Sequence, residues 1–426
     1  MLPRRANRVL WLAVGLALVS AACSSSRPAD LPVIEVFGPY RDADAVKFAA
    51  TVAPFEDEAG VDVRFVGTGS FATEIQKRIT EAEYPDVALF PQPALIVDMA
   101  SRGLLAPLPD SLQAGSGDDT AVRSVGGFVG QYAVWFRAAA KSLVWYRPPE
   151  FASRGYVVPT TWDEMMALSE TMVNDGLSPW CLAIESFSST GWVGTDWIED
   201  IVLREQGVTL YDEWVKGKVR FDSFEIREAF RTFGEIVHGN KTVLGGTNRI
   251  LNESWQRAAD PMFDDPPACM MHRQASFWAS EIPAGFTFGE DIDYFVLPGL
   301  TDAPPPLLVS GDMAAAFNDR PEVVAFMEFL ASPRAGEPWA ELGGFISPNP
   351  EFDDSRYASA IDRQVAKTIE DASQVRFDAS DTMPPAVGTD AFWLAMRTFI
   401  RTGNINAAVI SIDEAWPRIT LYENDG

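Results

Sequence analysis

Short apolar runs broken by glycine and proline alternate with longer stretches of helical spacing through the first third of the chain. Pro32-Val33-Ile34-Glu35-Val36-Phe37 reads as a first strand, stopped at Gly38-Pro39-Tyr40. Asp44 to Glu58 places Val46, Ala49, Ala50, Ala53 and Phe55 at near-helical intervals, which predicts a helix despite Pro54. Val61 to Val66 alternates as a strand should, and Phe71 to Glu83 puts Ile75, Arg78 and Ile79 on one helical face. Pro85 to Phe90 is a third strand, and Pro91-Gln92-Pro93 opens the next loop and helix. Strand, helix, strand, helix, strand is the rhythm of an open α/β sheet. No G-x-G-x-x-G follows any of these strands, so a dinucleotide site is disfavoured.

Farther on, Tyr132 to Phe136 and Ser142 to Tyr146 read as two strands with a short connection. Helical spacing then dominates, over Trp162–Met172, Asp196–Glu205 and Ser223–His238. Thr161 with Glu164 three residues on has capping-box spacing. Tyr294 to Pro298 and Leu307 to Val309 are late strands that could return the chain to the first sheet, and the stretch from Pro321 is again mostly helical.

The amino terminus has a different pattern. Arg4, Arg5 and Arg8 precede an unbroken apolar run from Val9 to Val19. As a helix that run would rise about 16 Å, too short for a bilayer core of about 30 Å. It has the size of a signal-peptide core, so residues 1–22 are read as a signal peptide. Val19-Ser20-Ala21-Ala22-Cys23 resembles the lipobox of bacterial lipoproteins, which implies lipidation at Cys23; the alternative is plain secretion with cleavage near Ala22. Residues 23–31 then form a flexible tether. Export to an oxidising compartment leaves Cys181 and Cys269 as an even pair, bridged across 87 intervening residues or buried as two thiols.

Charge narrows the partners. The net charge of −26 becomes −29 once the three arginines of the leader are removed. Such a chain is repelled by phosphate backbones and anionic headgroups, so nucleic acid is excluded as a partner. With only His238 and His272 and two spare cysteines, a zinc site has few ligands, and no cofactor motif occurs. A serine hydrolase is disfavoured by the absence of a G-x-S-x-G elbow, and His272 is read as structural. A glycosidase needs only two suitably spaced carboxylates, which 60 acidic residues do not exclude.

An ordered set of strings carries a resemblance along nearly the whole chain after the leader. They include Val36-Phe37-Gly38-Pro39-Tyr40, Tyr84 to Pro93, Gly103 to Leu108, Ser189 to Asp200, Cys269 to Ala275, Gly343 to Asn349 and Arg376 to Asp381. The sequence resembles the extracellular solute-binding proteins of carbohydrate ABC transporters, in particular the α-glucoside receptors. Ala94 departs from the glycine often found there. The resemblance implies a non-enzymatic α/β receptor of two lobes, type II periplasmic-binding-protein-like, closing on sugar held between open sheets. The lobes are expected at residues 32–140 plus 300–333 and at 141–299 plus 334–426. It further implies a monomer without cofactors that delivers sugar to transmembrane permease subunits and touches the membrane through its lipid alone. A lipoprotein presenting ligand to a surface sensor, or a glycan hydrolase or lyase, is the alternative.

A sugar site needs flat aromatic faces and polar groups at their edges. Trp192, Asp196 and Trp197 form the densest such cluster in the sequence. Tyr40, Phe71 and Gln92 follow the first three strands, where open α/β sheets gather ligands. Gln274, Asp312, Arg376, Asp378 and Asp381 complete the candidates, whereas Trp339, Trp393 and Trp416 read as core.

Overall fold

The computed structural model describes residues 31–113, 129–301 and 304–417. The expected leader, Cys23 and nearly all of the tether lie outside them. Among the described residues, ten strands form two sheets. The first holds β1 (Val33–Gly38), β2 (Asp62–Gly67), β3 (Val87–Phe90), β4 (Ala133–Ala140), β9 (Leu307–Ala316) and β10 (Val375–Phe377). The second holds β5 (Leu143–Tyr146), β6 (Ser178–Trp180), β7 (Cys269–Arg273) and β8 (Asp293–Val296), in the order β6-β7-β5-β8.

β1 lies between β2 and β3, parallel to both, with helices α1 (Asp42–Ala59) and α2 (Phe71–Thr80) as the connections. This is the predicted rhythm, and it places Pro39–Asp44, Thr68–Ala72 and Pro91–Gln92 at the carboxyl ends of three parallel strands. Pro93 begins α3 (Pro93–Ser101) there, since proline suits a first turn that has no use for its missing N–H. The β9 strand pairs antiparallel with β3 and β4 and parallel with β10.

The chain passes between the sheets at three places. Lys141-Ser142 joins β4 to β5, residues 297–306 join β8 to β9, and Asp378 follows β10. The two strands read from Tyr132 to Tyr146 therefore belong to different sheets. Trp145 and Val144 are fully buried where the second sheet begins.

The second sheet packs under helices α4 (Trp162–Asn174), α5 (Trp192–Glu205) and α6 (Phe224–Val237). The capping box of α4 is present: Glu164 N–H donates to Thr161 Oγ1 at 3.3 Å, and Thr161 N–H donates to Glu164 Oε2 at 3.4 Å. Cys181 and Cys269 form a disulfide.

Beyond residue 333 the chain goes on packing with the first sheet. Helix α7 (Pro333–Leu342) lies against the first sheet's helices, where Trp339 meets Tyr40 edge-on at 4.9 Å. β10 also belongs to the first sheet. Only from Asp378 onward, including helix α8 (Trp393–Thr402), does the chain join the second core. The physical reason is apolar: Trp339, Phe345 and Tyr357 fill a face that α1 and β4 would otherwise expose. Among the described residues no helix is long and apolar enough to cross a membrane.

Candidate functional site

A cavity of about 520 Å³ opens between the elements of the two sheets. One wall comes from the strand ends of the first sheet. Tyr40, 4% exposed, donates its hydroxyl to Asp312 Oδ2 at 2.9 Å. The Arg137 guanidinium lies over Tyr40 and Trp339, 5.7 and 4.6 Å from their ring centroids, and approaches Asp44 at 3.4 Å. Burial pushes the Tyr40 phenol well above its ordinary pKa, and the charge of Asp312 adds to that. Burial also raises Asp312, with Arg137 opposing. Tyr40 thus stays a neutral donor, while Asp312 and Asp44 offer acceptor oxygens.

The opposite wall is aromatic. Trp192, Trp255 and Phe277 are half-buried and meet pairwise at 5.3, 5.9 and 5.6 Å between ring centroids. Gly191 lets this wall form. Its φ of +130° is open chiefly to glycine, and a Cβ there would lie 2.3 Å from the carbonyl oxygen of Trp393. The close approach sets Trp192 at the start of α5 beside Trp393, which also lines the cavity.

Between the walls sit Gln92 and Asp381. The Gln92 side chain lies beside the Asp381 carboxyl and favours its charged form, bringing a residue that follows β3 close to one from the second core. Gln92 Oε1 is buried and has no protein partner. A buried amide oxygen is rarely left in that state, so it marks a position for a ligand donor. Burial, then the nearby Asp378 charge, holds the Asp381 carboxyl well above its usual range.

The structure therefore gathers Tyr40, Phe71, Gln92, Trp192, Asp312 and Asp381 around one cavity. It places the other five candidates elsewhere. Trp197 has no exposure and packs edge-on against Trp180 at 5.1 Å and stacks on Phe233 at 5.7 Å. Five residues on from Trp192, and so about 140° around the helix, it points into the core instead of the cavity. Gln274 is fully buried, and its Oε1 accepts the N–H of Ala275 at 2.8 Å. Arg376 is held by Asp212 in two bonds of 2.6 and 3.0 Å.

Asp196 and Asp378 are buried in an ionic network behind the cavity. Lys141 Nζ donates to Asp196 at 2.9 Å and to Asp378, and also lies 5.3 Å from the Trp192 ring centroid. Arg273 bridges Asp196 and Asp200. Ser142 Oγ donates to Asp200 at 2.7 Å, and Glu199 accepts the N–H groups of Ala379 and Ser380 at 2.8 and 3.1 Å. Desolvation raises Asp196 to about 7 against the pull of Lys141, whereas Lys141 holds Asp378 down at about 2 against desolvation. The Asp196, Glu199 and Asp378 oxygens lie within 4.8 Å of one another, a spacing that could suit a metal ion. The ammonium of Lys141 already supplies the cation there.

Arg137, Lys141, Trp255, Phe277 and Trp393 were not among the candidates. A sequence signal existed for the first two, since Arg137 and Lys141 interrupt the apolar run from Ala133 to Tyr146. Trp393 was assigned to the core; it is 5% exposed, but its buried position borders the cavity.

The profile of the bacterial extracellular solute-binding protein family matches residues 41–337. The chain belongs to that family. It is 40% identical over 396 residues to the osmoprotective compounds-binding protein GgtB of Synechocystis sp., covering 91% of this chain and 93% of that one. To the alpha-glucosides-binding periplasmic protein AglE of Rhizobium meliloti it is 33% identical over 399 residues, covering 91% and 87%. The solved bacterial solute receptor AcbH, described as preferring β-D-galactopyranose, superposes with a TM-score of 0.74 at 19% identity, covering 91% and 97%. The fold is the α/β type II periplasmic-binding-protein arrangement, and the protein is a solute-binding receptor, not an enzyme.

Proposed function

We propose that this receptor serves an ABC importer, capturing a carbohydrate and delivering it to the permease, with α-glucosides of two or more units as its ligands. The observation that carries this reading is the opposition of the Trp192–Trp255–Phe277 wall to the polar wall of Tyr40, Asp312 and Gln92. Apolar sugar faces stack on the first, and ring hydroxyls pair with the second. The unpartnered Gln92 Oε1 is one acceptor such a hydroxyl would satisfy. The name of AglE supports α-glucosides, and that of GgtB extends the panel to small osmoprotective solutes.

In this reading the parts built on the two sheets are lobes hinged at the three crossings. Ligand favours the closed arrangement because groups from both lobes are satisfied only there. Cys23 after the apolar leader supports a lipid anchor outside the cell membrane.

Thermal unfolding of residues 24–426 against mono-, di- and oligosaccharides and osmoprotective solutes tests the proposal. A ligand at 100 times its dissociation constant adds about 2.7 kcal/mol. A shift with glucosides that are recovered unchanged supports it. No shift with any sugar, or consumption of one, defeats it.

A further inference from the structure

Exposure around the cavity is graded. Gln92 and Asp381 are 9% and 6% exposed at its depth, whereas Phe187 is 65% exposed at its rim. Across that rim the Arg41 guanidinium lies 5.7 Å from the Phe187 ring centroid. Arg41 directly precedes α1 beside the first sheet, and Phe187 stands in the turn before α5. The contact therefore spans the mouth.

Both sides of it are held in unfavourable backbone. Phe187 has φ of +49°, and Asp42, next to Arg41, has φ of +50°. A bulky side chain rarely occupies that region, and such conformations persist only where surrounding bonds impose them. At Phe187 those bonds are present. Phe187 N–H donates to Glu185 Oε1 at 2.8 Å, Thr190 Oγ1 donates to the Phe187 carbonyl at 2.7 Å, and Ser186 N–H donates to Thr190 Oγ1 at 2.9 Å. The turn is built to present an aromatic ring to solvent at the cavity edge. Gly69 leaves room for the pair, since a Cβ there would come within 2.9 Å of Arg41 Nη1 and 3.5 Å of the Phe187 ring.

We propose that Phe187 and Arg41 form a clasp across the cavity mouth that closes over the outer end of the ligand and limits its length. The inference rests on the carbohydrate reading above and deepens it. A cavity of about 520 Å³ lies within the range for a compact ligand of a few rings. A longer chain has to leave past the clasp, separating a cation from an aromatic face that attracts it.

Calorimetry with maltose, maltotriose, maltopentaose and maltoheptaose, on wild type, Phe187→Ala and Arg41→Ala, tests this. In wild type, affinity falls by about tenfold or more from the short to the long sugars. Each variant should recover about tenfold of that loss for the long sugars while changing maltose by less than about threefold. A uniform change over all four sugars in the variants, or none, overturns the clasp. Absence of wild-type binding to all four defeats the maltooligosaccharide reading, and the clasp is then judged in the ligand-free protein. Spin labels on helices Phe71–Thr80 and Phe224–Val237 should show longer distances in Phe187→Ala than in wild type. Identical distance distributions overturn it.

Discussion

Lys141 donates to Asp196 at 2.9 Å from the two-residue link that carries the chain from one sheet to the other. Its ammonium also meets Asp378, at the third crossing, and Ser142 beside it donates to Asp200 and accepts from Leu308 N–H at 2.9 Å. All three passages between the sheets are thus tied to one face of α5, since Arg204 in turn donates to the Leu297 carbonyl.

Removing Lys141 would leave the buried Asp378 carboxylate without its cation and Asp196 with Arg273 alone. Breaking a buried pair from one side costs about 3–5 kcal/mol. Lys141→Met is expected to lose that much stability in guanidinium unfolding. A loss below about 1 kcal/mol would mean that water or protonation replaces the ammonium without cost.

The disulfide closes a loop with sequence separation 88. Removing a native bridge from an exported domain typically costs about 2–5 kcal/mol. Cys181→Ala with Cys269→Ala should therefore lower the unfolding midpoint while leaving ligand affinity near wild type, because both cysteines are buried away from the cavity. A binding loss at temperatures where the variant is folded would contradict this placement.

The early strand–helix rhythm was legible because each element carries its own apolar period, and the strand-end rule then located Tyr40, Phe71 and Gln92. Trp192 and Trp197 show where that reading stops. Both stand in one aromatic–acidic string, yet one lines the cavity and the other fills the core. Which side of α5 faces inward depends on Trp180 and Phe233, which lie elsewhere in the sequence. Asp196 and Asp378 looked like sugar ligands for a similar reason. Their partner Lys141 is far away in sequence, and no local pattern announces such a pairing. Phe187, Trp255 and Phe277 reach the cavity only through the placement of loops.

The two tryptophans should separate experimentally. Trp192→Ala removes an aromatic face from the cavity and is expected to weaken the ligand by about tenfold or more, equivalent to about 1.4 kcal/mol. Trp197→Phe should lower stability through lost core contacts and leave affinity within about threefold. The check is ligand titration by intrinsic fluorescence alongside denaturant unfolding. The reverse pattern would exchange the roles assigned to them.

His272 gives a pH dependence whose sign follows from its surroundings. The ring is fully buried, its Nδ1 lies 2.7 Å from the Cys181 carbonyl oxygen, and its Nε2 has no partner. Burial lowers its pKa from 6.5 to about 4, only partly opposed by that hydrogen bond, while the charge of Arg273 also lowers it. Between pH 4 and 6.5 the unfolded chain binds a proton there that the native protein does not. This group's contribution is therefore fully present above pH 6.5 and is lost as pH falls toward 4, with a ceiling of about 3 kcal/mol. His272→Gln should remove that part of the acid sensitivity, seen as a flatter stability profile over the window than in wild type. Nuclear magnetic resonance offers the direct check, because the chain has only two histidines and the variant assigns the signal. A native His272 that titrates near 6.5 would mean its ring is solvated, and the flattening would then be absent.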